Sequence, residues 1–177
     1  MKPGPYENFP ARVVLLSSVV SISIYAFGAF VLGKLGLLFA LAYVLYCLWC
    51  EVNVLRGSCV HCYYYGKVCG LGKGKLCAWL LRRGDPRQFV EREVSWREIA
   101  PDMLVLLFPL VGGVIVLIRS FAWPLVLMLI ALAALSLGGN ALVRGSFTCK
   151  YCKQRELGCP AEKLFSASKT VSANAKR

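Results

Sequence analysis

VVLLSSVVSISIYAFGAFVLG, Val13 to Gly33, carries no charged side chain. A helix crossing a hydrocarbon core of about 30 Å needs roughly 20 apolar residues. This stretch meets that length, and so does Ser120 to Val143, SFAWPLVLMLIALAALSLGGNALV, which is also free of charge. Between them lie two shorter charge-free blocks, Leu35 to Cys50 and Met103 to Ile118. Each extends at one end into a full span, to Leu55 through Glu51 and Asn53, and back to Ile99 through Asp102. A charge one turn inside the headgroup region is tolerated, whereas one at mid-bilayer is not.

The expected fold class is therefore an all-α integral membrane protein of four transmembrane helices, arranged as two hairpins. Composition agrees: 58% of the 177 residues are hydrophobic and the mean hydropathy is +0.60, with too little polar surface to cover four such helices in water. The first block has Lys2 and Arg12 before it and small residues late in it, as a signal peptide does. Its length and its pairing with the second block favour a retained span.

Charge sets the expected orientation. The formal net charge is +12. Nine Lys or Arg against four acids lie between Arg56 and Ala100, and eight against two between Arg144 and Arg177. The tight connections inside the hairpins carry only Lys34 and Arg119. The positive-inside rule places both basic segments, and hence both termini, in the cytoplasm of a multi-pass protein of the cell membrane. A reducing compartment disfavours a disulfide framework.

Each hairpin is followed by the same cysteine spacing. Cys59-x2-Cys62-x6-Cys69 comes after Arg56-Gly57-Ser58, and Cys149-x2-Cys152-x6-Cys159 comes after Arg144-Gly145-Ser146. The second copy has Phe147-Thr148 inserted before its first Cys. The chain thus divides into residues 1–11, a hairpin at 12–58, and a Cys-rich basic loop at 59–98. A second hairpin at 99–144, a second Cys knuckle at 145–165 and a disordered tail at 166–177 follow. A duplication with both copies in one orientation relates them by an axis along the membrane normal.

A C-x2-C turn sets two sulfurs about one metal ion and recurs in zinc and iron–sulfur sites. The third Cys of each motif returns to that ion after a short loop. A closed zinc site needs a fourth ligand. The first motif has Cys77 and the single histidine, His61, within reach; the second has no Cys or His beyond Cys159. Three arrangements follow. Each motif holds its own zinc, with the second borrowing His61 or Cys77; or the two C-x2-C pairs form one four-cysteine site; or each motif holds an iron–sulfur cluster. The candidate ligands are Cys59, Cys62, Cys69, Cys77, Cys149, Cys152, Cys159 and His61, with zinc favoured over iron–sulfur. Reversible thiol chemistry is the competing reading. Cys47 and Cys50 share the C-x2-C spacing but fall within the second span, where small residues serve helix packing.

Gly70-Leu71-Gly72-Lys73-Gly74-Lys75 lacks the spacing and the hydroxyl of a phosphate loop. Its lysines, with Arg82, Arg83 and Arg87, suit anionic headgroups. Tyr63, Tyr64 and Tyr65 read as interfacial aromatics, and no nucleic-acid partner is expected. The expected partners are the lipid bilayer, with anionic lipids or a cytoplasmic protein at the basic face. Glu51 and Asp102 flank the first motif, with Arg56 and Arg97 as candidate counter-ions. Ser17/Ser21 and Ala134/Gly138 are candidate close-approach points between helices, and Gly112-Gly113 with Pro109 a candidate bend. Val90 to Trp96 suits either a short strand or an interfacial helix, and Ser95-x-x-Glu98 fits a capping box. No Ser/His/Asp or Cys/His catalytic set is present, so the sequence assigns no enzymatic activity.

Overall fold

The computed structural model describes residues 4–92 and 96–160. Within them the chain is helical, with no strand and one isolated backbone bridge between Tyr6 and Cys152. Four helices are long and apolar enough to cross a membrane. They are α1 (Ala11–Gly33), α2 (Leu37–Gly57), α5 (Trp96–Arg119) and a fourth that begins as α6 (Trp123–Ala134). Two short helices, α3 (Lys73–Leu80) and α4 (Pro86–Glu91), lie in the connection between α2 and α5. The tail from residue 161, Ser95 of the capping box, and the strand option at Val94 fall outside the described residues; Val90 is helical, in α4.

Large aliphatic side chains face outward from every long helix, as in a bundle that meets lipid, among them Leu15, Ile22, Leu38, Leu45, Val111, Ile118, Leu127 and Ile130. Helix α1 is central, packed on α2, α5 and α6. One buried cluster joins Ile24, Leu32, Tyr43, Cys47, Cys50, Val105 and Leu132, so Cys47 and Cys50 sit in the interhelical core. A second, of Val31, Val116, Leu125 and Leu129, closes the end with the tight connections.

Close approach runs through glycines other than those expected. A Cβ on Gly28 would lie 2.4 Å from the Tyr43 hydroxyl, and one on Gly112 or Gly113 would meet Leu32 or Leu129 at 2.5 Å. The glycine pair in α5 is thus a contact surface for α1 and α6. Ala134 and Gly138 face outward, and nothing lies within 4 Å of a Gly138 Cβ. Ser17 is buried, but its hydroxyl serves the Gly70 carbonyl at 2.7 Å and the Val14 carbonyl of its own helix at 3.0 Å rather than a neighbouring long helix.

Proline shapes the bundle in a way the hydropathy pattern hides. Pro109, fully buried in α5, has no N–H for the Val105 carbonyl four residues back. The Tyr43 hydroxyl of α2 donates to that carbonyl at 2.9 Å. Tyr46 also donates to the Pro101 carbonyl at 2.9 Å. In an apolar interior no water supplies the bond that the Val105 carbonyl lacks, so a side chain must.

The fourth helix does not stop at Arg144. It continues through π-helical turns at Leu135–Gly139 and Val143–Thr148 into a 3-10 turn at Cys149–Tyr151. A π-turn takes up an extra residue without breaking the helix. The additional Phe147-Thr148 is absorbed in this widened winding.

Candidate functional site

Both Cys motifs and the segment Tyr6–Phe9 gather at one end of the bundle. The two motifs share a backbone course. Cys59–His61 and Cys149–Tyr151 each form a single 3-10 turn. The second Cys of each is extended, Cys62 at φ −78°, ψ 150° and Cys152 at φ −84°, ψ 122°. The Cys62 amide donates to the Cys59 carbonyl at 3.3 Å, and the Cys152 amide to the Cys149 carbonyl at 3.3 Å. The backbone at Tyr64 lowers the Cys62 thiol against the rise that burial gives it, and the backbone at Gln154 and Arg155 does the same at Cys152. In the first motif the chain then turns so that the Gly74 amide donates to the Cys69 sulfur at 3.3 Å.

The motifs dock on each other through reciprocal bonds. The Tyr63 amide donates to Gln154 Oε1 at 2.7 Å. The Lys153 amide donates to the Tyr64 hydroxyl at 3.0 Å. Tyr63 and Lys153 each follow the second Cys of their motif, and Tyr64 and Gln154 each come one later. The same backbone position in each motif thus bonds the same side-chain position in the other.

Tyr6–Phe9 straps the pair together. The Tyr6 amide donates to the Tyr151 carbonyl at 3.0 Å, and the Tyr64 hydroxyl to the Tyr6 carbonyl at 2.5 Å. Phe9 donates to the Val68 carbonyl at 2.9 Å, and Val68 back to Asn8 Oδ1 at 3.0 Å. The rings of Tyr6, Phe9, Tyr64 and Tyr151 stack edge-to-face or tilted between the motifs. Glu7 receives the Lys153 ammonium, the Tyr63 hydroxyl at 2.5 Å and Lys67 at 3.2 Å. These donors, Lys153 foremost, hold its carboxyl down to about 2. The expectation of interfacial tyrosines is corrected for Tyr64, which is 2% exposed and forms the joint between the motifs.

The candidate ligands fall into neighbourhoods. Cys77 is fully buried on α3 and packs with Leu55, Val60 and Cys59. Burial pushes its thiol up, with Cys69 adding to the shift. Cys62 is pushed up to about 11 by burial, and Cys152, Cys69 and Cys159 add to this, so it stands between the two motifs. Cys152 is also pushed up by burial, with Cys149 and Cys159 contributing. Cys149 is exposed. His61 turns away from the sulfurs: its Nδ1 lies 2.9 Å from the Asp85 carbonyl, and its ring packs on Gly84. Among the described residues, no three His, Cys, Asp or Glu side chains converge closely enough to hold a metal ion.

Just inside this end lies a charged layer. Lys73, at the start of α3, pairs with Glu51 of α2 at 2.5 Å, and the Tyr25 hydroxyl donates to Glu51 at 2.6 Å. Asp102 lies in the field of Arg144, Lys73 and Glu51. Glu51 is therefore matched by the loop lysine and an α1 tyrosine rather than by Arg56. Arg92 caps the end of α2, donating to the Gly57 carbonyl and to Ser58 Oγ at 3.1 Å while pairing with Glu98 at 2.7 Å.

Comparison of the chain with protein-family models, with curated proteins and with solved structures returns no match.

Proposed function

We propose that this chain is a non-catalytic, multi-pass membrane module whose paired cysteine knuckles hold structural zinc on the cytoplasmic side and organise a basic docking face. The observation that carries the reading is the shared turn: in both motifs the first Cys opens a single 3-10 turn and the amide of the second donates to its carbonyl at 3.3 Å. A neutral thiol gains little from an amide donor such as the Gly74 N–H on Cys69, whereas a metal-bound thiolate gains a charge-assisted bond. The reciprocal docking through Tyr63, Tyr64, Lys153 and Gln154 fits a duplicated unit closed about a pseudo-twofold axis.

Cys59, Cys62, Cys69 and Cys77 supply four thiols on the first side, and Cys149, Cys152 and Cys159 three on the second. Binding entails rotation of these side chains from the positions described above. A thiol-redox role calls for a thiol held low, whereas burial pushes Cys62 and Cys152 up. A metal coordinated there supplies the positive charge that makes the thiolates stable.

Elemental analysis of anaerobically purified protein tests the reading. Zinc at one or two ions per chain, reduced in Cys62→Ser and Cys152→Ser, is the expected result. Iron with acid-labile sulfide and visible absorption would transfer the site to electron transfer. Absence of any metal would end the metal reading.

A further inference from the structure

Among the described residues, nothing covers the outer face of α3. Gly74 and Cys77 face inward, and a Cβ on Gly74 would stand 2.2 Å from the Tyr64 carbonyl oxygen, so glycine is what lets α3 lie against the first motif. Leu76, Trp79 and Leu80, spaced i, i+3 and i+4, face outward, and Trp79 is 82% exposed. Lys75, Arg82 and Arg83 are exposed beside them.

Three contacts set the depth of this helix. Ser17 Oγ donates to the Gly70 carbonyl, Gly72 packs on Val14 and Ser18, and Lys73 pairs with Glu51. Ser17 lies six residues inside α1, about 9 Å of helix rise. Glu51 lies a similar distance inside the end of α2. Helix α3 therefore begins below the ends of two membrane-spanning helices, at the level of the headgroups. The apolar medium at that level is the bilayer. Tryptophan is favoured there, and Lys and Arg beside it are drawn to anionic lipid.

We propose that α3 is a membrane-surface anchor, with Leu76, Trp79 and Leu80 seated in the headgroup layer and Lys75, Arg82 and Arg83 selecting anionic phospholipid. Lys73 is not part of the selecting set, because Glu51 holds it. The anchor deepens the docking-face reading above by naming its partner, and it rests on the four helices being spans. It gives the first knuckle a lipid support that is independent of any metal.

The test uses the full chain in nanodiscs of phosphatidylcholine, with and without phosphatidylserine, carrying lipids brominated near the headgroup. The wild-type minus Trp79→Phe difference isolates the Trp79 emission. A chain retaining Trp79 while Trp49, Trp96 and Trp123 are Phe gives a second measure. Bromolipid should quench Trp79 strongly and iodide weakly, with the emission shifted further to the blue when phosphatidylserine is present. Lys75→Gln/Arg82→Gln/Arg83→Gln should remove the phosphatidylserine effect while leaving bromolipid quenching. Trp79 emission that iodide quenches and bromolipid does not would overturn the anchor and leave the face to a protein partner. An identical phosphatidylserine response in the triple variant would overturn the lipid selection. Zinc measured on the same nanodiscs separates the two readings: seated Trp79 without zinc sinks the zinc reading alone, and zinc with water-exposed Trp79 sinks the anchor alone.

Discussion

Replacing Tyr43 by Phe removes one oxygen from the middle of the bundle and should cost about 2 kcal/mol. The Tyr43 hydroxyl donates at 2.9 Å to the Val105 carbonyl, and both residues are buried. An ordinary intramolecular hydrogen bond contributes about 1 kcal/mol net, and polar pairs between membrane helices average roughly 0.6. This bond should exceed that average. Pro109 denies the carbonyl its helical partner, so Tyr43→Phe leaves an acceptor with neither amide nor water, a loss of about 1–3 kcal/mol. Pro109→Ala restores an N–H four residues along. In that background Tyr43→Phe should cost only about 0.5 kcal/mol, a coupling of about 1.5. The cycle cancels the small cavity that Pro109→Ala leaves. The assay is equilibrium unfolding in bicelles or mixed micelles of all four proteins. An equal cost for Tyr43→Phe in both backgrounds would refute the idea that the tyrosine substitutes for the amide that proline lacks.

Gly28→Ala drives a methyl into the Tyr43 ring, and unfolding in the same system should show a loss of about 1–3 kcal/mol. Gly74→Ala meets backbone rather than a movable side chain, at 2.2 Å from the Tyr64 carbonyl oxygen and 2.4 Å from that of Lys67. Hydrogen exchange should rise across α3 and residues 62–69 in that variant; unchanged protection would show that α3 stands off the motif. Glu51→Gln leaves Lys73 facing a neutral partner in a partly covered site, a cost of about 1–2 kcal/mol that Lys73→Met should partly restore when combined with it. Additive losses in the double variant would refute the pairing. Glu7 is depressed from 4.5 to about 2. A depressed carboxyl contributes its stability above the unfolded value and loses it as pH falls through the folded one. Protection of the Tyr6–Phe9 amides should therefore be flat from neutral pH down to about 5 and fall between about 4.5 and 2, whereas Glu7→Gln should show the low-pH exchange at every pH.

The four long helices were legible because a helix fit to cross a membrane obeys a simple rule: length and absence of charge. Val13–Gly33 and Ser120–Val143 state it outright, and Glu51 and Asp102 mark where the shorter blocks meet polar surroundings. Partnerships between side chains were less legible. Nothing in the spacing of Tyr43 says that its hydroxyl serves a carbonyl vacated by Pro109, 66 positions away in the chain. Small residues at four-residue spacing pointed to Ala134 and Gly138. The close contacts fall instead at Gly28, Gly112 and Gly113, because contact depends on which face a neighbour presents. At the cysteine end the spacing marked both turns, but not the strap. Tyr6–Phe9 has no periodicity or charge run to flag it, since its energetics rest on backbone pairing and ring contacts with distant segments. The Tyr63–Tyr65 run was visible, yet its position within the first Cys motif was a better guide than its aromatic character.

The strap has a consequence for the order of synthesis. Tyr6–Phe9 leaves the ribosome ahead of α1, while Tyr151 and Lys153, which it binds, come after α6. Glu7 and Lys153 are 146 residues apart. At the pace of translation, roughly 5–20 residues per second, the strap waits many seconds for its partners while the four long helices are made. During that interval the first motif and its strap carry exposed aromatic rings and buried-type thiols at the membrane surface. Closure of this end therefore has to come after all four long helices have been made. With the four helices as spans, a chain that inserted one too few would leave Lys153 on the far side of the bilayer from Glu7.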